Sequence, residues 1–404
     1  MERRRLIALV LFLLLGAGAC TARRAPEKLP DAGVAALHAV TLEKERPAAI
    51  PRPAMGGTCP VGDKGDVDGS LDAAVRAFDL QDFATALACA EQAARAAPRS
   101  VEAQHDRADA LAALGRLDDA KQAYTLALAL DPDDPQTLAG AAEFYVNRLG
   151  GGHDLAQIGL EYARRGSAHV GRRREDRELA ARLALLEAEA LDDLGRSDEA
   201  LGRVEASLAF GPTSESRYQK GLILFHLCRL EAAKQALVAF LAGSPDDGYA
   251  HHHLGLILER EGATAEAEDH LARARRLLPD EFAEPMLLPT REFRELVNAT
   301  VASLDPAMRR LLGNVELEIA DLPNMADLLA VDPPFPPTIL GLYRGSPIGE
   351  ASTEPRAIVL YRKNLARASK TREDLVKQVT ITILHEIGHL AGADEDELRA
   401  RGLE

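Results

Sequence analysis

His385-Glu386-Ile387-Gly388-His389 sets two imidazoles four residues apart, with a carboxylate directly after the first. In a helix, residues at this spacing stack one turn apart on the same face, so both rings can hold one divalent ion. In a strand they would stand about 13 Å apart, which no ion with bonds of about 2 Å to nitrogen can span. The preceding "VTITIL" (Val379 to Leu384) is β-branched and favours a strand on propensity alone. The wider pattern favours a helix. Thr371 and Asp374 have capping-box spacing, Leu375, Val379, Ile383 and Ile387 recur every fourth residue, and Gly392 stops the run.

An ion held by the two rings would polarise a carbonyl and lower the pKa of water towards 7. Glu386 is placed to take that water's proton and deliver it to a leaving amine. The chemistry is amide hydrolysis with Zn2+ as the cofactor, and it needs a third protein ligand and one open position. The segment "ADEDE" offers Asp394, Glu395 and Asp396 for that third place. The bland alternative is a satisfied structural histidine pair.

Three further histidines, His251, His252 and His253, are consecutive. On a helix they point about 100° apart and cannot converge on one ion, so they read as ordinary packing and surface positions.

The chain that must position this chemistry has 404 residues, enough for two or three domains. Hydrophobic residues make up 47% but aromatics only 4%, an excess of Ala and Leu that implies a mostly α-helical fold. The net charge of −15 argues against nucleic acid as a partner, and the basic run "GRRRED" reads as a solvated loop.

The beginning, "MERRRLIALVLFLLLGAGAC", orders three arginines, an apolar run and small residues up to Cys20, as a secretory leader does. Ala17-Gly18-Ala19-Cys20 resembles the lipobox of bacterial lipoproteins, although Ala17 stands where Leu is commoner. The resemblance implies a signal peptide over 1–19, lipidation at Cys20, a membrane lipid anchor and an extracytoplasmic place in the cell envelope. Plain secretion and an uncleaved anchor are the alternatives. Cys59, Cys89 and Cys228 then remain, and their number and scatter predict no disulfide framework and no cysteine-ligated metal. Cys89 and Cys228 fall in apolar helical patterns and read as buried, inert thiols. Residues 20–69, rich in Pro and Ala, read as a tether with a reach of roughly 35 to 40 Å.

From 70 to 281 the sequence repeats, with Pro98 and Pro132 34 residues apart and Pro245 and Pro279 likewise. Ala108, Gly115, Ala120, Ala127 and Pro132 recur at the same offsets as Gly255, Gly262, Ala267, Ala274 and Pro279. These positions resemble the tetratricopeptide repeat. Six helix pairs are expected, near 70–98, 101–132, 136–168, 178–212, 214–245 and 248–279, the third weakened by "LGGGHD". The resemblance implies an α-solenoid whose groove takes a protein partner.

Beyond Pro279 the texture changes. Arg291 to Leu304 reads as an amphipathic helix, and Asn314 to Asp321 and Ala357 to Tyr361 read as strands. "NVELEIADLP", "ILGLYRGSPIG" and "AIVLYRKNL", in order ahead of "TILHEIGHLAG", resemble the small zincin-like metallopeptidases called minimal zincins. That resemblance implies a small α+β domain over 282–404 with a peptide or protein substrate bound by strand addition. It implies His385 and His389 as metal ligands, Glu386 as the catalytic residue, and a third ligand six residues after His389 at Glu395, where the family more often has Asp. Tyr343, Tyr361 and Arg362 lie in these segments as candidates for oxyanion stabilisation, and each also reads as structural. The competing function is a non-catalytic repeat scaffold lipoprotein whose C-terminal domain binds metal or peptide.

Overall fold

The computed structural model describes residues 57–149, 152–348 and 355–403. The leader, Cys20 and the first part of the tether lie outside the described residues.

Twelve helices form six antiparallel pairs: α1 (Val67–Asp79) with α2 (Phe83–Ala96), α3 (Val101–Ala113) with α4 (Leu117–Leu130), α5 (Pro135–Glu143) with α6 (His153–His169), α7 (Arg177–Asp193) with α8 (Ser197–Phe210), α9 (Ser214–His226) with α10 (Leu230–Leu241), and α11 (Gly248–Arg260) with α12 (Thr264–Leu277). Small side chains permit the close approach. Ala108, Ala120 and Ala127 are fully buried in the second pair, as are Ala200 in the fourth and Ala274 in the sixth. Asp66, Asp82, Ser100, Asp134, Thr213 and Asp247 accept backbone N–H groups and start their helices. The third pair departs from the others, since α5 runs into a π-helical turn, Phe144–Arg148.

Two cysteine expectations need correction. Cys59 and Cys89 form a disulfide with Cα atoms 4.7 Å apart. The segment 57–66 folds back on the first pair, where Gln92 Nε2 donates to Val61 O at 3.1 Å, and this return brings together thiols 30 residues apart. Cys228 is a buried free thiol as expected, but it sits in a turn, at φ 55°, and not within a helix.

The C-terminal unit contains α13 (Thr290–Ser303), α14 (Pro306–Leu311), β1 (Glu316–Ala320), α15 (Met325–Leu328), β2 (Gly341–Arg344), β3 (Ala357–Tyr361), α16 (Arg362–Arg367), α17 (Arg372–Leu390) and α18 (Glu395–Ala400). The sheet order is β1-β3-β2, with β1 parallel and β2 antiparallel to β3. Central β3 is buried along its whole length, as its continuous apolar run requires. Phe293, Leu296 and Val297 of α13 close one core with Ile358 and Leu360 of β3 and Leu375, Val379, Ile383 and Ile387 of α17. These last four are the residues of the every-fourth pattern, so burial against the sheet overrides the strand propensity of "VTITIL". The capping box forms: Thr371 Oγ1 accepts from Asp374 N–H at 3.1 Å, and Asp374 accepts from Thr371 N–H at 2.9 Å. No helix among the described residues is long and apolar enough to cross a membrane.

Candidate metal centre

α17 presents both histidines from one face, with ring centroids 4.7 Å apart. Each Nδ1 meets a backbone carbonyl, which can only accept. His385 Nδ1 donates to Leu403 O at 2.5 Å, and His389 Nδ1 donates to Ala393 O at 3.1 Å. Each ring therefore carries its hydrogen on Nδ1 and keeps the Nε2 lone pair for a ligand. The two Nε2 atoms face each other at 3.0 Å. Donors of a tetrahedral zinc site with bonds of about 2 Å stand roughly 3.3 Å apart, so this spacing fits a shared ion.

Of the three acidic candidates, Glu395 joins the rings. Its Oε1 lies 3.2 Å from His389 Nε2 and its Oε2 3.8 Å from His385 Nε2. Asp394 is engaged elsewhere: it N-caps α18 by accepting from Glu397 N–H at 2.9 Å. The side chain of Asp396 lies outside the described residues. His385, His389 and Glu395 are the one group of three or more such side chains among the described residues whose donor atoms gather closely enough for an ion, all within 4.8 Å. The rings are about one quarter exposed and Glu395 is 61% exposed, so the centre opens to solvent on the Glu395 side.

Two glycines make this packing possible. A Cβ on Gly388, inside the pentapeptide, would overlap Leu398 of α18, so its absence lets the helix bearing Glu395 dock on α17. A Cβ on Gly341 would lie 2.5 Å from Thr382 Cγ2 and 3.3 Å from Glu386 Oε1, so β2 can approach α17 this closely only without one. Leu340 O accepts from Tyr361 N–H, so residue 341 and Tyr343 direct their backbone groups away from β3. The Tyr343 backbone hydrogen-bonds the Glu386 carboxylate from that outward edge.

Burial pushes the Glu386 carboxyl up to about 7, opposed by the charge on His389 and the Tyr343 bond. The hydrogen bond to the Glu395 carboxylate favours a second proton on His389, at Nε2, which raises His389 and holds Glu395 below the ordinary carboxylate range; a bound cation would take that proton's place. These directions are those of a buried carboxyl beside a cluster of ionisable groups.

The three oxyanion candidates do not converge on the centre. The Tyr361 hydroxyl is buried and donates to Asp327 at 2.9 Å, and Arg362 binds Asp321 at 2.7 Å and Leu288 O at 2.6 Å. The Tyr343 hydroxyl donates to Ser346 O at 2.6 Å. Among the consecutive histidines, His251 pairs with His270 on α12, Nδ1 to Nδ1 at 2.7 Å, while His252 stacks on Phe282. Sequence reasoning missed the carbonyls of Ala393 and Leu403 and the backbone of Tyr343, because main-chain groups leave no residue signature.

Comparison with known proteins matches the same two regions. A family model described as zincin-like metallopeptidase covers residues 312–403, and one described as tetratricopeptide repeat covers 71–135 and 218–282. The chain joins tetratricopeptide repeats to a zincin-like domain. Solved structures similar to it are repeat proteins. PilW, a widely conserved type IV pilus biogenesis factor, is 17% identical over 53% of this chain and 94% of its own, with a TM-score of 0.46. TTC0263, a thermophilic repeat protein of Thermus thermophilus, is 20% identical over 48% of this chain and 98% of its own, TM-score 0.39. YrrB, a repeat protein with an unusual peptide-binding site, is 18% identical over 47% of this chain and 93% of its own, TM-score 0.36. No curated protein matches the chain closely enough to count as a relative.

Proposed function

We propose that the chain is a zinc-dependent peptidase in which the repeat array recruits or positions a protein substrate for the zincin-like domain. One observation carries the reading: two Nε2 lone pairs face each other 3.0 Å apart with a carboxylate beside them, while both Nδ1 hydrogens are committed to carbonyls. A proton shared by the two nitrogens or a cation bound by both relieves the repulsion of the facing lone pairs, and with the Glu395 carboxylate as a third donor the set suits Zn2+ held by His385, His389 and Glu395. When bound, the ion supplies Lewis-acid polarisation of a carbonyl and acidification of water. Glu386 takes a proton at its carboxylate and returns it to the leaving nitrogen. Burial raises this carboxyl, the Tyr343 bond opposes the rise, and a dication beside it would lower it further, so these groups together set its proton affinity for the task. The backbone of Tyr343 fixes Glu386 against β2, and β2, as an edge strand, offers main-chain groups to an extended peptide.

The proposed place of action is the cell envelope, with the chain anchored through lipid on Cys20. The Cys59–Cys89 disulfide supports an oxidising compartment.

The test is metal content and peptide hydrolysis of the purified ectodomain beside Glu386→Gln. The expected result is one bound zinc in both proteins and hydrolysis reduced at least ~10²-fold by the substitution. Zinc without hydrolysis in either protein would leave a metal-binding repeat scaffold.

A further inference from the structure

The segment that follows the pentapeptide does more than provide Glu395. It leaves α17 through Gly392, at φ 86°, and Ala393 N–H returns to Gly388 O at 2.9 Å. α18 then packs on α17 through fully buried Leu398, in the space left by Gly388. The chain folds back once more: Leu403 N–H donates to Leu398 O at 3.1 Å, the Leu403 side chain is buried, and its carbonyl receives His385 Nδ1–H at 2.5 Å.

We infer that Leu403 is a positioning residue whose carbonyl fixes the tautomer and ring orientation of His385. The inference rests on the zinc reading above. A histidine ligand that loses the acceptor on its far nitrogen can rotate and can place its hydrogen on the nitrogen the ion needs. Loss of such an acceptor costs 10–100-fold in metal affinity. For His389 the acceptor is Ala393 O, built into the turn that ends α17. For His385 it comes from 18 residues downstream and is held through Leu398. The two rings are therefore supported by different parts of the tail, and trimming can remove one support while leaving Glu395, Leu398 and the Ala393 turn in the chain.

The experiment compares zinc dissociation constants by chelator competition, together with melting of the metal-free proteins. The variants are full-length protein, a chain ending at Leu403, a chain ending at Gly402, and Leu403→Ala. The chain ending at Leu403 keeps an acceptor and should bind zinc as the full-length protein does. Leu403→Ala keeps the carbonyl and should weaken binding less than threefold. The chain ending at Gly402 should bind 10–100-fold more weakly, with metal-free melting close to that of Leu403→Ala. Equal zinc affinity for the Gly402 and full-length chains would overturn the inference while sparing the zinc reading. So would a loss in Leu403→Ala as large as that of the Gly402 chain, since side-chain packing would then be the cause. Absence of zinc binding by full-length protein would instead refute the zinc reading itself.

Discussion

Gly388 shows how tightly single residues are specified around the centre. Of the two residues between Glu386 and His389, Ile387 fills the core. Gly388 is there so that Leu398 can lie against the helix. We expect Gly388→Ala to push Leu398 and α18 outward and carry Glu395 away from His389. Zinc affinity should fall at least tenfold while the helix itself is stabilised slightly, Ala being the better helix former by up to ~1 kcal/mol. Calorimetric zinc titration beside thermal melting of the metal-free protein checks the two opposite signs.

At the scale of elements, five of the six turns within the helix pairs place one residue in the left-handed region. Gly115, Gly195 and Gly262 occupy it at φ 71°, 72° and 80°, while Gln81 and Cys228 accept the strain at 60° and 55°. Cys228 has a compensating contact, since its thiol reaches Phe335 O of the C-terminal unit at 3.3 Å. Between the first helices of neighbouring pairs, like charges collect. Burial raises Glu189 of α7 to about 7, with Glu143, Asp193 and Glu215 adding to the shift and a bond from Asn147 opposing it. A folded-state pKa above the unfolded value of 4.5 means that the folded array holds this proton more tightly. That stabilisation is complete below about pH 4.5 and is lost as the pH rises through about 7. Glu189→Gln should flatten this part of the pH profile and raise stability at pH 8 by on the order of 2 kcal/mol. Urea unfolding at pH 5 and pH 8 measures the difference.

Across the whole molecule, the last repeat and the zincin-like domain are fastened by Glu259 of α11. Its carboxylate accepts from Lys363 at 3.0 Å and Arg367 at 2.6 Å, both on α16, while Arg260 donates to Pro323 O at 2.5 Å. Glu259 is only 13% exposed, so removing it strands two part-buried cations. We expect Glu259→Ala to cost about 2 to 4 kcal/mol at this interface and to split one calorimetric transition into two. A single unshifted transition would show that the contact does not couple the units.

The repeat offsets, the six helix pairs and the helical state of residues 372–390 were legible in sequence because they depend on local periodicity: small residues at fixed spacing, caps, and an every-fourth apolar stripe. The imidazole pair was legible for the same reason, since four residues on a helix is a local geometry. What lay beyond the sequence depends on distant segments meeting. Strand β2 is four residues long and became a strand by pairing with β3, with Tyr343 opposite Ile358. The Cys59–Cys89 bond required the segment 57–66 to fold back, and although the six-residue spacing pointed to Glu395, only the fold gathers it with the two rings and turns Asp394 away to cap α18. The Leu403 carbonyl illustrates the limit most directly: every residue carries a carbonyl, so only the tertiary path of the backbone could bring that one to His385.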